Sequence, residues 1–195
     1  GVQEVEFVYD SEGRPAFSRD GNQRAAGICS FRLYDAYGRE VLTGTCADRN
    51  PAIWNGSYIA PEMTVTGLTR KDAAGTVCRS GYSIAGAVSA LIPSAKLLTA
   101  SYYDDYGAVP ATLPSGAISQ PRGLCTATLM ATLGGDSQQQ LLTVNYYDRE
   151  ERLIKSVAGN LLQGDYTVES SYSPYGLLTA QRDAFTLNRN LGTVC

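Results

Sequence analysis

A short punctuation recurs along this chain: Tyr-Asp, two variable residues, Gly, then Arg. Tyr9-Asp10-Ser11-Glu12-Gly13-Arg14 and Tyr34-Asp35-Ala36-Tyr37-Gly38-Arg39 are complete copies. Tyr103-Asp104-Asp105-Tyr106-Gly107 lacks the Arg, and Tyr147-Asp148-Arg149-Glu150-Glu151-Arg152 lacks the Gly. Tyr172-Ser173-Pro174-Tyr175-Gly176 keeps only Tyr and Gly. A motif repeated in this way announces architecture before it announces activity.

The residue types explain the motif. A strand ends at Tyr, whose ring lies on a neighbouring strand and whose hydroxyl reaches a polar partner. Asp opens the turn by accepting backbone N–H bonds two residues on. Gly takes the positive φ that closes a short hairpin loop. Arg starts the return strand and faces Asp across the loop, an exposed pair that contributes about 0.2–1 kcal/mol. Each copy therefore reads as one β-hairpin.

Spacing adds a second message. The step from Tyr9 to Tyr34 has the same length as the step from Tyr147 to Tyr172. The steps from Tyr34 to Tyr103 and from Tyr103 to Tyr147 are both longer. Equal spacing at both ends points to duplication of a two-hairpin unit with insertions between.

The copies resemble the YD repeats of bacterial Rhs proteins, a group that includes the shell of insecticidal Tc toxin complexes and has a relative in animal teneurins. Residues 123–133, from Gly123-Leu124-Cys125 to Leu133, followed by Leu142-Thr143-Val144-Asn145-Tyr146-Tyr147-Asp148, look like the version in large surface proteins of gut bacteria. The resemblance covers 1–46 and 95–183 and is weak over 47–94, where no copy of the motif appears. The C-terminal autoproteolysis and toxin region of the family has no counterpart. The resemblance thus implies an internal segment of a longer secreted or cell-surface protein, with a structural role. Its partners are then other segments of the same polypeptide.

The chain has 195 residues and a formal net charge of −3, with charges mixed rather than blocked. That leaves no electrostatic footprint for nucleic acid or an anionic membrane. No apolar run reaches the ~18 residues needed to span a bilayer. Five cysteines, Cys29, Cys46, Cys78, Cys125 and Cys195, form no C-x-x-C pair, so zinc and redox motifs are not supported. Cys29 and Cys46 flank the second turn and face each other if the register allows; the simpler expectation is buried free thiols.

Thr-, Val- and Tyr-rich runs predict strands over 2–9, 28–34, 39–45, 64–69, 76–84, 97–103, 124–133, 141–147, 152–158, 166–172 and 177–182. No window sustains a helical apolar period past three turns. The organisation expected is an N-terminal half over 1–104 with an insertion at 47–94, a Pro/Gly-rich connection over 105–122, and a C-terminal half over 123–195. Gly134-Gly135-Asp136-Ser137 reads as a hydrophilic hairpin tip.

Catalytic patterns are missing. The chain contains no His, which removes Ser-His-Asp and Cys-His catalysis and His-based metal sites. The carboxylate pairs Asp104-Asp105 and Glu150-Glu151 fall in predicted turns, where acids are ordinary solvated residues. No phosphate loop or D-x-D-x-D calcium loop occurs. The reading is a non-enzyme without metal or cofactor. Thirteen tyrosines and Trp54 support a rival function, a cell-surface carbohydrate- or protein-binding module, with Trp54 ahead of Asn55-Gly56 as the candidate contact.

The expectation is an all-β, antiparallel array of hairpins forming a twisted, partly open sheet, a section of a YD-repeat shell. Open edges would make such a piece prone to self-association.

Overall fold

Runs of β-branched and aromatic residues separated by Tyr-Asp turns form strands because each pleated face then packs on its neighbour. The computed structural model of the chain describes residues 4–68, 77–109, 112–132, 139–161 and 164–187. Its strands are β1 (Glu6–Tyr9), β2 (Pro15–Arg19), β3 (Ile28–Tyr34), β4 (Glu40–Ala47), β5 (Val65–Leu68), β6 (Tyr82–Ile84), β7 (Lys96–Tyr103), β8 (Cys125–Ala131), β9 (Gln140–Tyr147), β10 (Leu153–Gly159), β11 (Asp165–Tyr172) and β12 (Leu178–Phe185). Ten of them hydrogen-bond in the order β1-β2-β3-β4-β7-β8-β9-β10-β11-β12, and β5 pairs with β6 in a separate two-stranded sheet. The all-β class and the antiparallel hairpins expected from the motif are present.

The chain divides into two compact units, Gly1–Ala100 and Ser101–Cys195. In the first, alternate residues of β3 and β4 turn inward. Phe17, Phe31, Leu33 and Leu42 are fully buried, and Phe17 lies opposite Phe31 in the β2–β3 register. Between β2 and β3 the chain makes one short helix, α1 (Gly21–Ala26). Asp20 caps it by accepting from the Gln23 backbone, the Gln23 side chain returns the bond, and Gly27 ends it in the left-handed region at φ 65°.

Between β4 and β7 the described residues carry 3-10 turns at Pro51–Trp54 and Val77–Arg79, the β5–β6 pair, and a second short helix, α2 (Gly86–Leu91). One stretch crosses the first two Tyr-Asp turns. The Ala60 amide donates to the Tyr9 carbonyl at 2.9 Å, and the Tyr34 amide donates to the Met63 carbonyl at 2.8 Å. Met63 and Ala60 are buried there. The strand expected over 76–84 is shorter than predicted. Cys78 and Arg79 take φ of 50° and 57°, outside the β region, so pairing begins only at Tyr82; Thr76 lies outside the described residues.

In the second unit β8, β9, β10, β11 and β12 follow one another as a meander. Burial declines along it, from Leu129 and Val144, which are buried, to β12, whose eight residues are all exposed. The tip at 134–137 lies outside the described residues, as does Cys195.

Candidate functional site

Three turns share one geometry. In each, an Asp carboxylate binds the whole loop. Asp10 Oδ1 accepts from the amides of Glu12 at 3.0 Å and Arg14 at 2.9 Å. Asp35 Oδ1 accepts from Tyr37 and Arg39, both at 2.9 Å. Asp148 Oδ1 accepts from Glu150 at 3.0 Å and Arg152 at 2.9 Å. The second oxygen takes the Arg guanidinium, at 2.7 Å for Arg14, 2.6 Å for Arg39 and 2.7 Å for Arg152. The motif therefore needs Asp to serve loop and side chain at once, and Arg to reach back four residues.

The fourth position of the loop must be left-handed. Gly13 and Gly38 have φ of 76° and 78°, and their amides close the turn on the Asp carbonyl. In four copies the motif Tyr then pairs with the residue six positions on: Tyr9 with Pro15, Tyr34 with Glu40, Tyr147 with Leu153 and Tyr172 with Leu178. The fifth copy keeps this register without Asp, because Ser173 Oγ accepts from the Leu177 amide at 3.1 Å. The fourth copy keeps it without Gly: Glu151 takes φ 62°. Because a side chain in this region costs about 1–2 kcal/mol, Glu151→Gly is expected to stabilise the protein by about 1 kcal/mol. That appears as a melting temperature raised by about 2–4 °C, and no rise would mean that Glu151 is held by something other than the turn.

The third copy departs from the expected hairpin turn. Asp104 is itself left-handed at φ 74°, Gly107 is held by Asp105 Oδ1 at 2.8 Å, and Asp104 Oδ1 takes the Gly123 amide at 2.7 Å. The chain leaves β7 at Tyr103 and joins the neighbouring strand β8 only at Cys125. The Thr126 hydroxyl, fully buried, donates toward the carbonyls of Tyr102 and Asp105 at 3.1 and 2.7 Å.

A second layer of contacts joins one copy to the next. Arg14 lies 4.4 Å over the ring of Tyr34, and Arg152 lies 5.0 Å over the ring of Tyr172. The same two tyrosines donate their hydroxyls to the carbonyls of Pro15 at 2.8 Å and Leu153 at 2.9 Å. In both cases the acceptor is the residue after the Arg. The equal spacing of these two pairs of copies thus has a physical meaning, because it places the Tyr of one copy under the Arg of the copy before it. Each such cation–π contact contributes about 0.5–1 kcal/mol at a partly exposed site. Arg39 has no copy at that spacing after it, and it stacks within its own turn on Tyr37, at 5.0 Å.

Charge in the turns is set by these bonds. Burial opposes ionisation of Asp10, but bonds from the Arg14 side chain, the Arg14 amide and the Met63 amide outweigh it and hold its pKa below the usual carboxylate range. Asp148 is lowered in the same way, burial being overcome by Arg152. A carboxylate with a depressed folded pKa contributes stability above its unfolded pKa and loses it as pH falls through the folded value. Urea midpoints are therefore expected to stay level above about pH 5 and to drop below about pH 4. Asp148→Asn should flatten that drop, and an unchanged slope would remove Asp148 from the account.

Trp54 sits in a different cluster. Arg19 lies 4.2 Å over its ring, and its indole N–H donates to Asp48 Oδ1 at 3.1 Å. Arg19 in turn pairs with Asp48 and Glu6, both at 2.6 Å. One face of the indole and its only donor are thus engaged within the chain. Three of the four paired acids are engaged too: Asp104 and Asp105 hold loop amides, and Glu150 pairs with Arg152 at 3.0 Å. A cavity of about 810 Å³ is lined by residues 116–120 with Asp148, Arg149, Glu150 and Arg152. Both of its turn carboxylates that could act as acids, Asp148 and Glu150, are paired to Arg152. Among the described residues no cluster of three His, Cys, Asp or Glu is placed to hold a metal ion, and no helix is long and apolar enough to cross a membrane.

Comparison with protein-family models, with curated proteins and with solved structures finds no match.

Proposed function

We propose that this chain is a non-catalytic structural segment of an Rhs/YD-repeat shell, which encapsulates or displays another part of the polypeptide it belongs to in a secreted or cell-surface protein. The observation that carries this reading is the Arg-to-Tyr link between equally spaced copies, made twice with the same stacking and the same hydroxyl-to-carbonyl bond. A contact repeated between successive units builds an array whose stability is a sum of nearest-neighbour terms. The strands at the two ends of the sheet order support it. Val5, Phe7 and Tyr9 at β1, and Leu178 and Phe185 on β12, are exposed apolar side chains that further hairpins of the same kind would cover.

The test is electron cryomicroscopy of the parent polypeptide that contains this segment. Strand order continuing past β1 or β12 around an enclosed volume supports the shell. A free-standing sheet ending at these strands overturns it. So does glycan-array binding by this chain that Trp54→Ala abolishes, which would make it an adhesive module.

A further inference from the structure

The two buried cysteines of the first unit stand apart from the turns. Cys29 on β3 and Cys46 on β4 are direct register partners, and their sulfurs lie 3.4 Å apart. Opposed residues of an antiparallel pair have Cα atoms about 4.5–5.5 Å apart, within the range of about 4.4–6.8 Å that a disulfide spans. Closing the sulfurs to a bond of about 2.0 Å needs side-chain adjustment rather than a change of register.

The two sulfurs are not equivalent. Cys29, with Ala47, Asp48, Ile53, Leu91 and Pro93, lines a cavity of about 80 Å³ that Cys46 does not reach. About 10–15 Å³ of such space holds one water, so this cavity has room for a molecule of two oxygens. The sulfurs share a hydrogen bond. Either sulfur can donate it; the sulfur that accepts is held as thiolate against the opposing effect of burial, and the donor is pushed up by the bond and by burial. The described cysteines outside the pair face no second thiol: Cys78 donates to the Ala95 carbonyl at 3.3 Å and Cys125 to the Ala127 carbonyl at 3.4 Å.

We propose that Cys29 and Cys46 form a two-cysteine oxidation site, in which hydrogen peroxide oxidises Cys29 and Cys46 resolves the product into a disulfide between β3 and β4. The Cys29 thiolate attacks one peroxide oxygen. An S–O bond forms, the O–O bond breaks, and the leaving hydroxide takes a proton to become water. Cys46 sulfur then attacks the sulfenic sulfur of Cys29. The S–S bond forms, the S–O bond breaks, and hydroxide leaves as water with the Cys46 proton. Two thiols are oxidised by two electrons in total, and one peroxide is reduced to two waters. This inference is independent of the shell reading.

The test treats the purified chain with hydrogen peroxide and maps tryptic peptides without reduction. The expected product links peptide 25–32 to peptide 40–49, with a mass lower by two hydrogen atoms. In Cys46→Ala, dimedone is expected to trap a sulfenic acid at Cys29. In Cys29→Ala, Cys46 is expected to stay unmodified at the same dose. The proposal is overturned if both thiols remain titratable in the wild type, if Cys46 reacts as readily alone, or if Cys78 or Cys125 is oxidised first. Should either variant fail to fold, the wild type in urea decides. Loss of the 25–32 to 40–49 link there, against its formation in buffer, supports the folded site, and equal yield in both sinks it.

Discussion

Asp10→Ala is expected to lower the stability of the first unit by about 3–5 kcal/mol, the scale for removing one partner of a buried ion pair. The Asp10 side chain has 0% exposure, against 14% for Asp35 and 12% for Asp148. That difference ranks the three turns. Removing Asp10 leaves the amides of Glu12, Arg14 and Met63 without this acceptor and strands the Arg14 guanidinium. It also loosens the stretch near Met63 that crosses the first two turns, and the platform that Arg14 makes over Tyr34. Asp35→Ala, more exposed, should cost about 1 kcal/mol. The measurement is urea unfolding of both variants beside the wild type. Equal losses would show that the carboxylate acts only within its own loop.

Gly44→Ala is expected to cost about 3 kcal/mol or more, the upper range for overpacking a core. Gly44 lies on β4 between β3 and β7. A Cβ there would meet the Lys96 carbonyl oxygen and, at 2.6 Å, two ring carbons of Phe31. The ring is itself fully buried and has nowhere to turn. The backbone carbonyl belongs to the neighbouring strand and moves only with it. Adding Phe31→Leu should recover part of the loss and no more, since the Lys96 clash remains. A double variant as stable as Phe31→Leu alone would place the whole effect on the ring.

The hairpin turns were legible because their chemistry is local. Asp, Gly and Arg act within one short loop, so the motif alone predicts the turn and the strands beside it. The coupling between copies was not legible as a contact. It showed only as an equal spacing, and its meaning depends on which face of β3 and β11 carries Tyr34 and Tyr172, which is set by register. Helix α1 had a readable signal in Asp20, Gln23 and Gly27, but its six residues are too few for a periodicity to register. The Pro- and Gly-rich stretch after Tyr103 reads as a connection, yet Tyr106 stacks on Tyr146 at 5.3 Å and Val109 is buried. Composition cannot show that a loop supplies core, because the partner ring lies on a strand far along the chain. Trp54 looked like an exposed aromatic for the same reason: Arg19 and Asp48, which engage it, are distant in sequence or hidden in a charged context.

The Arg-to-Tyr link has a bearing on how chains of this kind change length. Each linking Arg looks forward to the next copy and each Tyr looks back, so the contact has a direction and no symmetry partner. Gaining a whole period between linked copies would leave each Arg with a Tyr to sit on, whereas a partial period would orphan one. Arg39 illustrates the second case, having turned to its own loop where a long insertion separates its copy from the one at Tyr103. Addition in whole units therefore keeps the links and addition in fractions breaks one, a grammar set by one guanidinium and one ring.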